Sequence, residues 1–241
     1  MPSLRCVPAS PVLSVLATVL SVLAPVSVTR GAEPTPLKAG DRIVFLGDSI
    51  TAGGAVRPYG YIRLLEDALN KKHPDLKIEC LGAGISGNKV PNLQRRVDKD
   101  VVAKKPTIVF IYIGINDVWH GQKDPAKGTM PDKFEAGLKE VIGKITDGGA
   151  RVILCTPTVI GEKKNGANAL DAKLDQYADI SRGIAKELKL QLCDLRQAFV
   201  DHLSADNPED KTSGVLTTDQ VHLNSAGNQL VAETMLKTLD P

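Results

Sequence analysis

Short apolar runs of strand length alternate along this chain with longer segments whose apolar residues recur every three or four positions. The runs occupy residues 43–46, 76–81, 107–113, 152–155 and 190–193. Between them, Leu64, Leu65, Ala68 and Leu69 share one face of a first helix, and Leu93, Val97 and Val101 one face of a second. Phe134, Leu138, Val141, Ile142 and Ile145 line a third, which opens at Pro131 and stops at Gly148-Gly149. Leu174, Tyr177, Ile180, Ile184 and Leu188 mark a fourth, and a last helix spans 225–239 with Asn224 as its cap. Strands that are apolar throughout, rather than at alternate positions, need cover on both faces. Parallel neighbours need helical crossovers, so the order predicts one α/β domain with a parallel sheet between helical layers. The long loops 119–130 and 156–168 both follow strands, and therefore fall at the carboxyl end of the sheet, where open α/β folds bind ligands. There is no internal repeat or interdomain linker.

The first 31 residues read differently. Arg5 gives a short basic start, 11–24 is almost entirely Val, Leu, Ala and Ser, and Arg30-Gly31-Ala32-Glu33-Pro34 is a polar exit. This pattern predicts a secretory signal over 1–31, with cleavage near Gly31 or Ala32, followed by a single domain over 32–241 and a secreted or periplasmic location. The alternative is an uncleaved anchor. Pro25 and the interleaved Ser14, Thr18 and Ser21 oppose it, since a stable span needs ~20 predominantly apolar residues. No stable membrane insertion is expected once the signal is removed. Arg5 and Arg30 leave with the leader, and the remaining Lys and Arg balance the 28 Asp and Glu. With no basic stripe, nucleic acid is not an expected partner. Cys80, Cys155 and Cys193 remain, each in or beside a strand, and read as buried free thiols rather than a disulfide frame or a metal site.

Gly47-Asp48-Ser49-Ile50-Thr51 directly follows the first apolar run. A serine on a tight strand-to-helix turn is lifted clear of the sheet, with backbone N–H groups left free to stabilise an anion. Such a serine needs a base and a carboxylate to orient it. Asp219-Gln220-Val221-His222, just before the last helix, offers both at a spacing that lets the two side chains project from one turn. His120 is the rival base, but no carboxylate is placed to orient it as Asp219 could orient His222. His73 precedes Pro74 in a polar turn, and His202 lies in an Asp-rich segment. Oxyanion donors follow two further strands. Gly82-Ala83-Gly84-Ile85-Ser86-Gly87-Asn88 offers an exposed Gly87 N–H, and Gly114-Ile115-Asn116-Asp117 the Asn116 amide. Turn chemistry accounts for either loop alone, but poorly for three successive strands ending in the groups that one tetrahedral intermediate requires.

In this order, Gly47-Asp48-Ser49, Gly87, Asn116 and Asp219-x-x-His222 resemble the four blocks of the SGNH (GDSL-like) hydrolase family, across nearly all of 32–241. The resemblance implies a flavodoxin-like three-layer α/β/α sandwich with a five-stranded parallel sheet in the order 2-1-3-4-5. It implies Ser49 as nucleophile, His222 as base and Asp219 as its support, with Ser49 N–H, Gly87 N–H and the Asn116 amide as oxyanion hole. One departure stands out: the second block often reads N-x-G-x-S-G-D, whereas Gly82 and Asn88 occupy its ends here. No cofactor or metal is implied.

The expected activity is hydrolysis of short-chain esters, acetyl above all, on a small-molecule or glycan substrate through an acyl-serine intermediate. A lysophospholipase or thioesterase acting on lipid acyl groups, an acyltransferase with a glycan acceptor, and a non-catalytic carbohydrate-binding protein on the same scaffold are the alternatives. Gly82-x-Gly84-x-x-Gly87 is also a literal dinucleotide fingerprint. That reading requires an acidic residue about twenty positions on at the end of the next strand, whereas Asp98 and Asp100 fall in a helix. Trp119 and Glu162-Lys163-Lys164 are candidates for substrate contact, or else a core tryptophan and a solvated charge cluster. The oligomeric state is not set by the sequence.

Overall fold

The computed structural model describes residues 36–240 and, before them, Ser3 alone. The expected export leader, Ser3 apart, lies outside the described residues. The elements run β1 (Arg42–Gly47), α1 (Ser49–Val56), α2 (Tyr61–Lys72), β2 (Glu79–Gly84), α3 (Val90–Asp100), β3 (Ile108–Tyr112), α4 (Ile115–Trp119), α5 (Pro131–Asp147), β4 (Arg151–Cys155), α6 (Asp171–Glu187), β5 (Gln191–Cys193), α7 (Leu195–Asp206) and α8 (Ser225–Leu239). All neighbouring strands pair in parallel, in the order β2-β1-β3-β4-β5, and helices flank the sheet as in a flavodoxin-like α/β/α sandwich.

The apolar strands and helix stripes are one continuous core. Ile43, Val44 and Leu46 of β1, Val109 to Ile111 of β3, and Ile153 and Leu154 of β4 are fully buried. Phe45 and Phe110, paired across β1 and β3, stack with ring centroids 5.2 Å apart. On one side α3, α5 and α6 pack in succession, and on the other α2 packs against α8. The predicted boundaries of α5 and α8 coincide with those observed, and the Asn224 side chain caps α8 by accepting the Gly227 N–H.

Several features differ from the expectation, among them α4 and α7, which the apolar periodicity did not mark. β2 begins at Glu79 rather than at 76, because Lys77 sits in the left-handed region at φ 52° and turns the chain there. It also runs on through Gly82-Ala83-Gly84, which we expected to be loop. As an edge strand covered by α1, it can use residues without bulk: a Cβ on Gly84 would lie 2.2 Å from the backbone nitrogen of Ala52, and one on Gly82 2.6 Å from the Ala55 methyl. Cys80 on this edge strand is consequently only half-buried, whereas Cys155 and Cys193 are buried; all three are free thiols. Finally, α1 is a separate helix with two glycines and little intrinsic helical tendency, started by its cap and held by packing on β2.

The register brings the active loops together. Gly47 pairs with Gly84 on one side and Tyr112 on the other, Tyr112 with Cys155, and Cys155 with Cys193. All five strands therefore stop in one row, and the segments carrying Ser49, Gly87 and Asn116 leave the same edge of the sheet.

Candidate active site

The Asp48 carboxylate accepts the Ile50 N–H at 2.9 Å, so α1 starts immediately after the strand with Ser49 as its first residue. The Ser49 N–H is one of the donors that a helix leaves without an internal partner, and no acceptor among the described residues takes it. Facing it is the turn that carries Asp219 and His222. Asp219 Oδ1 accepts the Val221 and His222 backbone N–H groups at 3.2 and 2.8 Å, while Oδ2 lies 2.7 Å from His222 Nδ1. One carboxylate thus closes the turn and orients the ring, which is why a spacing of three suits this pair; Gln220 between them takes φ 78°. The other ring nitrogen, His222 Nε2, lies 2.9 Å from Ser49 Oγ. Partial burial would raise the Asp219 carboxyl, but the bonds from His222 and Val221 outweigh it and hold the group below the ordinary carboxylate range.

Gly87 sits at φ 74°, a left-handed turn that suits glycine, and its N–H likewise has no acceptor among the described residues. Asn116 is nearly buried beside it, with its amide engaged: Nδ2 donates to Asp48 Oδ2 at 3.2 Å and to the Asn88 carbonyl at 3.1 Å. A substrate oxygen would have to draw one of these hydrogens away. Burial pushes the Asp48 carboxyl up to about 7, with the Ile50 N–H opposing and Asp117 adding to the rise. Asp117, also raised by burial, to about 6, accepts the Val90 N–H at 3.0 Å. That bond fills the α3 N-terminus where a dinucleotide pyrophosphate would have to sit, and Gly82 and Gly84 serve helix packing instead.

Two residues whose roles sequence reasoning missed hold this geometry. Arg96, on α3, donates to Gly47 O at 2.7 Å, Ala83 O at 2.9 Å and Asn88 Oδ1 at 2.7 Å, fastening the Ser49 turn to the Gly87 loop. Asn88, the departure from the resembled pattern, is therefore supported from both ends. Glu162 is fully buried, and so is neither a solvated charge nor a substrate contact. It accepts Val215 N at 2.8 Å, Leu216 N at 2.8 Å, Thr217 N at 2.5 Å and Thr217 Oγ1 at 2.7 Å, clamping the base of the loop that ends in His222. Neither leaves a local signal, since most of these partners are distant in sequence, 49 residues for Gly47 and 53 to 55 for the Glu162 loop. Of the other histidines, His73 bonds Asp240 and His202 lies 3.7 Å from Asp206. His120 has no carboxylate partner among the described residues, and burial, aided by Lys89, lowers its pKa.

A hydroxyl, an imidazole and a carboxylate in hydrogen-bonded series can move a proton from oxygen to nitrogen while the carboxylate steadies the charge that results, the arrangement of a serine ester hydrolase. Residues 45–230 match the family model of the GDSL-like lipase/acylhydrolases. The chain belongs to this family. It is 32% identical over 214 residues to an acetylxylan esterase of Geobacillus stearothermophilus, covering 83% of this chain and 94% of that protein. Among solved structures, the acetyl xylan esterase AlAXEase is 41% identical, with a TM-score of 0.78 over 82% of this chain and 99% of that one. Axe2, an acetylxylan esterase from Geobacillus stearothermophilus, is 32% identical with a TM-score of 0.76, covering 85% of this chain and 96% of its own.

Proposed function

We propose that this protein removes acetyl groups from carbohydrate, with Ser49 as nucleophile, His222 as general base and then acid, and Asp219 as the group that holds the imidazole. The contact between Ser49 Oγ and His222 Nε2, backed by Asp219, carries this reading. His222 takes the Ser49 proton as Oγ attacks the ester carbonyl carbon. The oxyanion forms against the Ser49 and Gly87 N–H groups, and Asn116 turns one amide hydrogen from its protein acceptor toward it. His222 then protonates the departing sugar oxygen, which leaves acetyl on Ser49. Water, deprotonated by the same nitrogen, attacks the acyl carbon; acetate departs and Ser49 regains its proton.

One finding supports a short acyl group on a sugar. The relatives named above are acetylxylan esterases over nearly their whole length. We place the protein outside the cytoplasm: residues 1–31 act as an export signal and 32–241 as the hydrolase domain, in keeping with the apolar leader. Among the described residues no helix is long and apolar enough to cross a membrane. The test is a chain-length series of p-nitrophenyl esters beside acetylated xylooligosaccharides. Acetyl esters are expected to be cleaved fastest, with free acetate as product. A preference for long acyl chains would move the assignment to lipid substrates, and acetate appearing on an added glycan acceptor would make the protein a transferase.

A further inference from the structure

Beside the Gly87 loop lies a cleft of about 600 Å³, the size of a small-ligand site. A Cβ on Gly87 would be 4.0 Å from the His120 ring, so the wall of the cleft begins one van der Waals contact from a proposed oxyanion donor. Its lining is cationic: Lys89, Lys123 and Lys127 against the single carboxylate of Asp124. Asp124 is 4.0 Å from Lys127, and among the described residues no carboxylate pairs with Lys89 or Lys123. Lys89 Nζ donates to the Lys127 carbonyl, which ties one ammonium to the rim. The indole of Trp119, 37% exposed, also lines the cleft. Lysines spread over a convex surface would be ordinary solvated charges. Here three line one concavity next to a proposed oxyanion donor, in a domain whose charges balance overall, and an exposed aromatic side chain stands beside them.

We propose that this cleft binds an anionic sugar, a uronate, adjacent to the acetylated residue, with Trp119 against the sugar ring and Lys89 and Lys123 facing its carboxylate. This rests on the carbohydrate-deacetylating reading and names the class of glycan it acts on. Lysine ammonium groups are point charges, which meet a carboxylate without the planar fork that arginine brings to carboxylate or phosphate.

The experiment compares kcat/KM for acetate release from an acetylated, uronic-acid-substituted xylooligosaccharide with that for the same compound after reduction of the carboxyl to an alcohol. The wild-type protein is expected to favour the charged form about tenfold at low salt. The preference should fall below about twofold in 0.5 M NaCl, where the Debye length is only ~4 Å. In Lys123→Glu the ratio should drop to about one or invert; a ratio within one variant does not depend on how much of it is folded. A wild-type ratio near one at low salt, an unchanged ratio in Lys123→Glu, or faster release from a sulfated analogue than from the uronate would overturn the inference. Release from both compounds at equal rates refutes the uronate subsite alone. Release from neither, with p-nitrophenyl acetate still cleaved, refutes the carbohydrate reading and the subsite with it.

Discussion

Replacing Glu162 by glutamine tests how the site is held, because it changes one buried atom and leaves shape intact. Glu162 accepts four hydrogen bonds, three of them at Oε1. A glutamine keeps those three by placing its carbonyl at Oε1, but its NH₂ then faces the Val215 N–H that Oε2 accepts at 2.8 Å. One bond is lost, a buried donor is left against a donor, and the remaining three lose the strength that an ionised acceptor gives them. With a bond to a charged group worth ~1.5–3 kcal/mol and an unpaired buried donor costing ~1–3 kcal/mol, Glu162→Gln should lose about 2–4 kcal/mol of stability. The clamped residues lead directly into Asp219 and His222, and Thr217 bridges to Leu223 on the far side of the turn. Loosening them displaces the imidazole from Ser49, and misplacement by ~1 Å can cost about a hundredfold in rate. Urea unfolding gives the stability. p-Nitrophenyl acetate turnover, measured without denaturant where the variant is still folded, gives the rate, and kcat should fall at least about tenfold with little change in KM. A loss under about 0.5 kcal/mol together with kcat within twofold of wild type would refute the clamp.

Other consequences follow from single contacts. Asn116→Ala removes a proposed oxyanion donor and strands Asp48 Oδ2 and the Asn88 carbonyl; kcat should drop by ~10²–10³, and an unchanged kcat would remove Asn116 from the mechanism. Asp48 titrates near 7 in the fold against an ordinary 3.8, so between those values the native state holds a proton that the unfolded chain releases. Its contribution to stability is fully present below about pH 4 and is lost as pH rises through 7, a change on the order of 4 kcal/mol. Asp48→Asn should therefore lose less stability than wild type between pH 5 and 8 in urea titrations, and equal losses would contradict the buried carboxyl. Gly84→Ala drives a methyl into the backbone of α1 and should cost about 2 kcal/mol or more in thermal unfolding, whereas a tolerated alanine would mean that α1 does not sit against β2 as described.

The layered sheet was legible because burial dictates it: strands apolar at every position have no stable place except between helices, and the α5 and α8 boundaries are written in Pro131, Gly148 and Asn224. The candidate site was legible because Ser49 and Asn116 lie in the first turns of the helices that follow β1 and β3, Gly87 lies in the loop after β2, and Asp219 and His222 stand just before α8. What the sequence concealed is what depends on distance. Gly82 and Gly84 look like a phosphate loop in one dimension and are a packing groove for α1 in three. Glu162 looks like part of a solvated Glu-Lys-Lys cluster until the loop it clamps folds over it. Arg96 sits among charged residues in a helix of ordinary pattern, and only the pairing of β1 with β2 brings Gly47 and Ala83 together within its reach. α1 escaped because its glycines and β-branched residues argue against a helix, and its Asp48 cap and its contact with β2 override that tendency.

The central claim is that Ser49 becomes acylated because His222 removes its proton. Labelling with a fluorophosphonate, followed by peptide mapping and by rates for wild type, Ser49→Ala and His222→Ala, tests it most directly. One label per chain on Ser49, no label in Ser49→Ala, and labelling slowed by about 10³ or more in His222→Ala are the predicted results. A label on another residue, or Ser49→Ala hydrolysing p-nitrophenyl acetate at the wild-type rate, would contradict it.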